Sequence, residues 1–212
     1  MKIVLTRIDE LDREFITRAR DAGHEVTAMA ATTTQFVSPE QVAAAVATRP
    51  YLTIVVTSRR AAPYVSLVAR TPETVLACVG PTTRDAVTWE GPSIVALPSN
   101  AATLGQLVVA EPMVWLAGSP HREDFMTALT ARGLSCDVVE VYRTVAAELD
   151  DAQRDALATA DAVLCAAPSA WAAVSDVVAP TTRVVALRAS SVPEEVPHRL
   201  VVERFEELLA NG

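Results

Sequence analysis

The sequence predicts an α/β protein: parallel sheets with helices on both faces, arranged as two similar domains. Three observations carry this reading. Strand-like and helix-like segments alternate along nearly the whole chain, the order that builds a parallel sheet. The strand segments, such as residues 52–56, 75–79 and 162–166, are short apolar runs, mostly rich in β-branched residues, as expected of strands covered on both faces. A weak internal repeat is also present. LTIVVTSRRAA followed by VLACVGPTTRDAV is echoed by DAVLCAAPSAW followed by RVVALRASSV. Each copy is a buried strand, a Ser-bearing turn into a helix, a second strand, and a turn with adjacent hydroxyls.

Taken in order, residues 2–6 open with a strand. Residues 11–22 form a helix with Leu11, Phe15, Ile16 and Ala19 as its apolar positions, closed by Gly23. A strand covers 25–30, and residues 31–36, with three consecutive threonines, make a polar, extended connector. Ser38 caps a helix that has Pro39 at its first position and Gln41 three residues past the cap. Strands then follow at 52–56, 75–79, 94–97, 113–116 and 138–142, with helices at 59–69, 82–89, 102–110 and 122–132 between them. The remaining segments are helices at 150–158, 169–178 and 203–210 and strands at 162–166, 184–187 and 200–202. If the repeat marks two domains, the first elements belong with the last. This gives a discontinuous, trimmed domain of residues 1–33 plus 145–212 around an inserted domain of 36–141. The chain crosses between them near 31–35 and 142–146.

Half of the 212 residues are hydrophobic, enough for one core or two small ones. No apolar run approaches the ~20 residues needed to span a bilayer. Residues 1–7 lack a signal peptide's apolar stretch, so a cytoplasmic protein without a membrane association is expected. The net charge of −8 argues against nucleic-acid binding, but leaves room for an anionic ligand held locally by arginines and backbone N–H groups. Cys78, Cys136 and Cys165 are odd in number, far apart and without a CxxC pair. They are expected to be small buried hydrophobes, not disulfide or zinc partners. His24, His121 and His198 show no metal-ligand spacing. No GxGxxG, P-loop, GxSxG or HExxH motif is present, and no cofactor or metal is expected.

Four turns follow the C-terminal ends of strands, where open α/β sheets bind ligands. Thr57-Ser58-Arg59-Arg60 joins hydroxyls and cations at a helix start, whose free N–H groups suit carboxylates. Its simpler reading is an N-cap by Ser58 with solvated arginines. Gly80-Pro81-Thr82-Thr83 offers a glycine for close backbone approach and two hydroxyls, either of which could instead be a plain cap. Gly118-Ser119-Pro120-His121-Arg122 has the residues of an anion-binding nest, with His121 read as a loop residue. Ala167-Pro168-Ser169 repeats the first turn without its arginines, and Ser169 is a good N-cap. One further cluster, Glu140-Val141-Tyr142-Arg143-Thr144, sits at the second crossing. Its tyrosine hydroxyl is able to donate a proton.

In order along the chain, VLTR, VVTSRRA, VGPTT, LAGSPHRED, VVEVYRTV and APSAW resemble the uroporphyrinogen-III synthase family over nearly the whole length. The resemblance implies two flavodoxin-like domains joined by a two-stranded linker, with the ligand cleft between them. It implies a monomer whose substrate is hydroxymethylbilane, a flexible tetrapyrrole rich in carboxylates. The reaction would be ring closure with loss of water and inversion of the last pyrrole, without a cofactor. Tyr142 matches the family's proton-donating tyrosine. Ser58, Thr82, Thr83 and Ser169 match its substrate-facing turns. Arg59, Gly118, Arg7 and Arg143 join them as candidate carboxylate contacts.

The chain departs from the family at Leu187-Arg188-Ala189-Ser190-Ser191, where a glycine-hydroxyl turn into a helix is expected. Ser190 keeps a hydroxyl, Arg188 replaces the glycine and offers a carboxylate contact of its own, and Pro193 and Pro197 preclude a helix. This departure motivates a second reading, a non-catalytic tetrapyrrole-binding or regulatory module of the same fold.

Overall fold

A computed structural model describes residues 1–8, 13–121, 123–205 and 207–210. In chain order its first elements are β1 (Lys2–Leu5), α1 (Arg13–Asp21), β2 (Glu25–Ala28), β3 (Thr32–Phe36), α2 (Pro39–Val46) and β4 (Thr53–Val56). A 3-10 segment, Arg59–Leu67, leads to β5 (Val75–Cys78), α3 (Pro81–Asp85), β6 (Ser93–Val95), α4 (Ala101–Leu107) and β7 (Met113–Ser119). Then come α5 (Asp124–Thr130), β8 (Asp137–Ala146), α6 (Asp151–Ala158), β9 (Ala162–Cys165), α7 (Pro168–Val174) and β10 (Arg183–Ala186). The 3-10 turn Ala189–Ser191, β11 (Arg199–Val201) and α8 (Glu207–Ala210) complete the chain.

The chain divides into two units, residues 1–33 with 145–212 and residues 34–144. The discontinuous unit holds a parallel sheet in the order β2-β1-β9-β10-β11. Counted along the chain, this is the 2-1-3-4-5 order of flavodoxin-like folds. The continuous unit has the order β6-β5-β4-β7-β8-β3. Its strands run parallel from β6 to β8. The last strand, β3, is antiparallel to β8: Val37 N–H donates to the Val141 carbonyl at one end (3.0 Å) and Ala147 N–H to the Ala31 carbonyl at the other (2.9 Å).

Counting from β7 instead of β4, the continuous sheet repeats the neighbour relations of the first, with one connection relocated. In both sheets the echoed segments occupy the same places. β4 lies between β7 and β5, as β9 lies between β1 and β10. This is the physical content of the repeat.

Continuous apolar runs are required because both faces of each sheet are covered, successive side chains pointing to opposite sides. Val4, Val163 and Val184 meet Leu157 and Val174 on one face of the discontinuous sheet. Ile3, Leu5, Leu164 and Val185 meet Phe15 and Phe205 on the other. In the continuous unit, Ile54, Val56 and Leu116 pack with Val42 and Tyr64, and Val55, Ala77 and Trp115 with Leu104 and Phe125.

Local chemistry explains most ends. Ser38 Oγ accepts from the Gln41 N–H at 3.3 Å, as its spacing predicts. Gly23 and Gly133, at φ +82° and +70°, close their helices in the left-handed region. Four expectations are revised. The stretch 59–69 forms 3-10 turns ending at Leu67, not an α-helix, since Pro63 has no N–H to donate back to residue 59. The helix expected over 82–89 is only α3. Arg84 folds back to donate to the carbonyls of Val87 (3.2 Å) and Trp89 (3.0 Å), which fixes a turn there. The strand expected over 138–142 runs on to Ala146 because β3 pairs with it. The closing helix expected over 203–210 is limited to Glu207–Ala210. Leu11 and Arg122, placed in helices by the sequence, lie outside the described residues.

Cys78 and Cys165 are buried and Cys136 partly so. Burial pushes their thiols up to about 11, 11 and 12 respectively, so they remain protonated, apolar side chains at neutral pH.

Asp137, at the start of β8, accepts from Arg49 Nη2 (2.7 Å) and from the Tyr51 hydroxyl (2.9 Å). The Arg49 hydrogen bond, with help from Tyr51, holds the Asp137 carboxyl below its ordinary value of 3.8. A carboxylate depressed on folding stabilises above its unfolded pKa, and that stabilisation fades as pH falls through the folded one. Asp137→Asn is therefore expected to lower the urea midpoint slightly at pH 7, since both partners are about half exposed. The gap to the parent should close as pH drops well below 3.8. An unchanged gap at low pH would assign the loss to something other than the charge.

Candidate functional site

In the continuous sheet, β4 and β7 are neighbours whose connections leave in opposite directions, β4 towards β5 and β7 towards β8. Such a switch point opens a crevice at the carboxyl ends of the strands. The turn after β4 carries Thr57, Ser58, Arg59 and Arg60. Ser58 is extended (φ −151°) and its Oγ accepts from the Arg60 N–H at 3.3 Å, while both arginine side chains are exposed. Trp115 Nε1 donates to Thr57 Oγ1 at 3.0 Å, tying this turn to β7.

Gly118 and Ser119 end β7. Up to Ala117, which faces Glu140, the register with β8 is regular. Gly118 then faces Tyr142, leaving Val141 as an extra residue. This bulge re-aims the side chains that follow it. Tyr142 is half-buried and lies against the bare Cα of Gly118. A Cβ built on Gly118 would collide with Cε2, Cζ and the hydroxyl oxygen of Tyr142. The Arg60 guanidinium carbon stands 5.8 Å from the ring centroid of Tyr142. Phe36, on β3, lies 6.4 Å from it at 56° and is 59% exposed. The structure thus brings Tyr142, Gly118, Arg60 and Phe36 together, with Ser58 capping the segment that carries Arg60.

The turn after β5 differs from its sequence reading. Gly80 is buried, and a Cβ there would come within 2.6 Å of Ser99 Oγ, so this glycine makes room for Ser99. It is also the cap residue of α3, and neither Thr82 nor Thr83 makes a side-chain cap bond. Thr82 is exposed and Thr83 is buried. Arg143 points its guanidinium at Glu140, with Nη2 and Nε at 2.9 and 3.1 Å from Oε1.

In the discontinuous sheet the switch point lies between β1 and β9. Thr6 Oγ1 donates to the Leu164 carbonyl at 2.9 Å and ties the two strand ends together. Arg7 follows, half-buried, its guanidinium carbon 5.6 Å from the Phe205 ring centroid. Ser169 lies inside α7 at its second position. Ala167 is the cap residue, without a side-chain cap bond, so the capping role read for Ser169 is not the one it takes. Arg188 is exposed and stands at the cap of the single 3-10 turn Ala189–Ser191, in place of a helix. Ser190 is exposed and Ser191 buried. Arg199 donates to the carbonyls of Ala189 (2.6 Å) and Val192 (3.1 Å) and fixes this turn. Ser190, Trp171, Pro168, Val192 and Glu194 line a groove of about 570 Å³.

Among the described residues, no group of His, Cys, Asp or Glu is placed to hold a metal ion. No helix among them is long and apolar enough to cross a membrane.

A family model described as Uroporphyrinogen-III synthase HemD matches residues 13–192, most of the chain and parts of both units. The chain belongs to the uroporphyrinogen-III synthase family. The fold agrees with that of two synthases of known structure. The enzyme of Helicobacter pylori is similar at a TM-score of 0.62 and 11% identity, covering 99% of this chain and 97% of its own. A mutant enzyme of the extremely thermophilic bacterium Thermus thermophilus is similar at 0.56 and 16%, covering 99% and 96%. No curated protein matches the chain in sequence.

Sequence reasoning singled out Arg59 in its turn, but Arg60 is the arginine beside Tyr142. Two adjacent arginines give no pattern that separates them. Phe36 was also missed. The available signal was a large aromatic at the end of a polar strand, directed at no predicted core. His121, read as a loop residue, places Nδ1 3.1 Å from the Gly118 carbonyl and packs edge-on against Trp115 at 4.7 Å.

Proposed function

We propose that in this synthase Tyr142 is the proton donor and that exposed hydroxyls and arginines at the strand ends hold the substrate's carboxylates. The reaction is the cyclisation of hydroxymethylbilane to uroporphyrinogen III, with inversion of the last pyrrole ring and loss of water, in haem biosynthesis. The bilane is electron-rich and its leaving group is hydroxide, so a single well-placed acid suffices for departure. The harder requirement is geometric, because closure without guidance gives the other isomer. Fixed placement of the chain supplies that selection.

The observation that carries this reading is the seat of Tyr142, a half-exposed phenol at a sheet switch point, beside an arginine and an exposed aromatic ring. Ser58, Arg59 and Thr82 are the proposed carboxylate contacts of the continuous unit. Gly118, Thr83 and Arg143 are weaker ones, being covered by Tyr142, buried, and paired with Glu140 respectively. In the discontinuous unit the proposed contacts are Arg7, Ser169, Arg188 and Ser190. Family membership also supports a monomeric enzyme of the cytoplasm.

The test is direct. Purified protein is incubated with enzymatically generated hydroxymethylbilane, the product is oxidised and the isomers are separated. Type III is the expected product. Type I alone, formed no faster than without protein, would overturn the reading.

A further inference from the structure

We infer that Gly118 is a positioning residue for the proton-donating hydroxyl: its missing side chain is the seat that sets where Tyr142 Oη lies. The inference rests on Tyr142 being the donor. Three observations converge on it. A Cβ on Gly118 would fall on the Tyr142 ring edge and on Oη itself, so the reacting atom is among the first to be displaced. The bulge at Val141 is what puts Tyr142 opposite Gly118. In a regular register Gly118 would face Val141. The Gly118 main chain is also anchored from the far side. A carbonyl only accepts, so His121 Nδ1 must carry the hydrogen donated to the Gly118 oxygen at 3.1 Å, and the imidazole is held edge-on against buried Trp115. The glycine is needed here for space, not for backbone conformation. Phe36 and Arg60 contact the same ring, so a displaced phenol meets occupied positions. Misplacing a catalytic group by about an ångström costs on the order of 100-fold in rate.

The experiment compares Gly118→Ala, Tyr142→Phe, Tyr142→Ala and the Gly118→Ala/Tyr142→Ala double variant with the parent, by steady-state kinetics, isomer ratio and thermal midpoint. Gly118→Ala is expected to lower kcat on the order of 100-fold with KM little changed. In the Tyr142→Ala background, where the ring is gone, the same methyl should change rate and thermal midpoint by almost nothing, a coupling that a merely structural glycine would not show. Should Gly118→Ala fail to fold, the double variant is expected to regain the folded state. Parent-like kcat in Gly118→Ala, an equal loss with and without the ring, or a double variant that stays unfolded each overturns the inference. Only a fully active Tyr142→Phe overturns the donor assignment on which it rests, so the two failures are distinguishable.

Discussion

Tyr142→Phe is expected to lower kcat by about 10²–10⁴-fold, the range for loss of one positioned general acid. The substitution removes one oxygen and keeps the ring, so the seat on Gly118, the contact with Phe36 and the Arg60 guanidinium over the face all remain. Substrate contacts lie elsewhere on this reading, so KM should change little. A fall in kcat without a rise in KM marks an interaction made in the transition state. The isomer ratio adds a second readout. As the enzymic path slows, uncatalysed closure takes a larger share and type I accumulates. Parent-like kcat with type III product would assign the proton to another group.

Trp115→Ala is expected to destabilise the continuous unit by about 3–5 kcal/mol, the usual cost of emptying a large buried aromatic site. Trp115 is only 2% exposed. It meets Phe125 edge-on at 5.1 Å and His121 at 4.7 Å, while its Nε1 holds Thr57. Trp115→Phe separates the contributions. It keeps most of the apolar volume and loses the hydrogen bond, a change of about 1 kcal/mol. Urea denaturation of the two variants measures both. Equal losses would mean that packing around the indole matters less than its N–H. Because the molecule has two units, only the transition that reports residues 34–144 should move.

Much of the fold was legible because parallel strands covered on both faces must be apolar throughout, and runs such as IVV, LAC and AVL announce this. Helix extents were less so. Pro63 and Arg84 end or reshape their segments through single bonds whose partners a periodicity scan does not contain. Of the site, the turns were readable as motifs, since hydroxyls and arginines after buried strands have few other uses. What each residue does was not. Gly118 reads as an anion-binding glycine, yet it is covered by a ring 24 positions later in the sequence, through a bulge with no sequence signature. Arg60 and Phe36 gain meaning only from their distance to that ring. Arg199 fixes the shortened turn at Ala189–Ser191 from ten residues away.

The relocated connection between the two otherwise matching sheets also sets a schedule for biosynthesis. The continuous unit has its whole sheet once residue 146 has emerged. By then β1 and β2 have left the ribosome as a bare parallel pair, still lacking their central neighbour. β9 arrives nearly 160 positions after β1, as the bond from the Lys2 N–H to Asp161 records. The nascent chain therefore carries its first strands unsheltered through most of translation while the middle lobe closes, which exposes the N-terminal segment to aggregation until the tail is made.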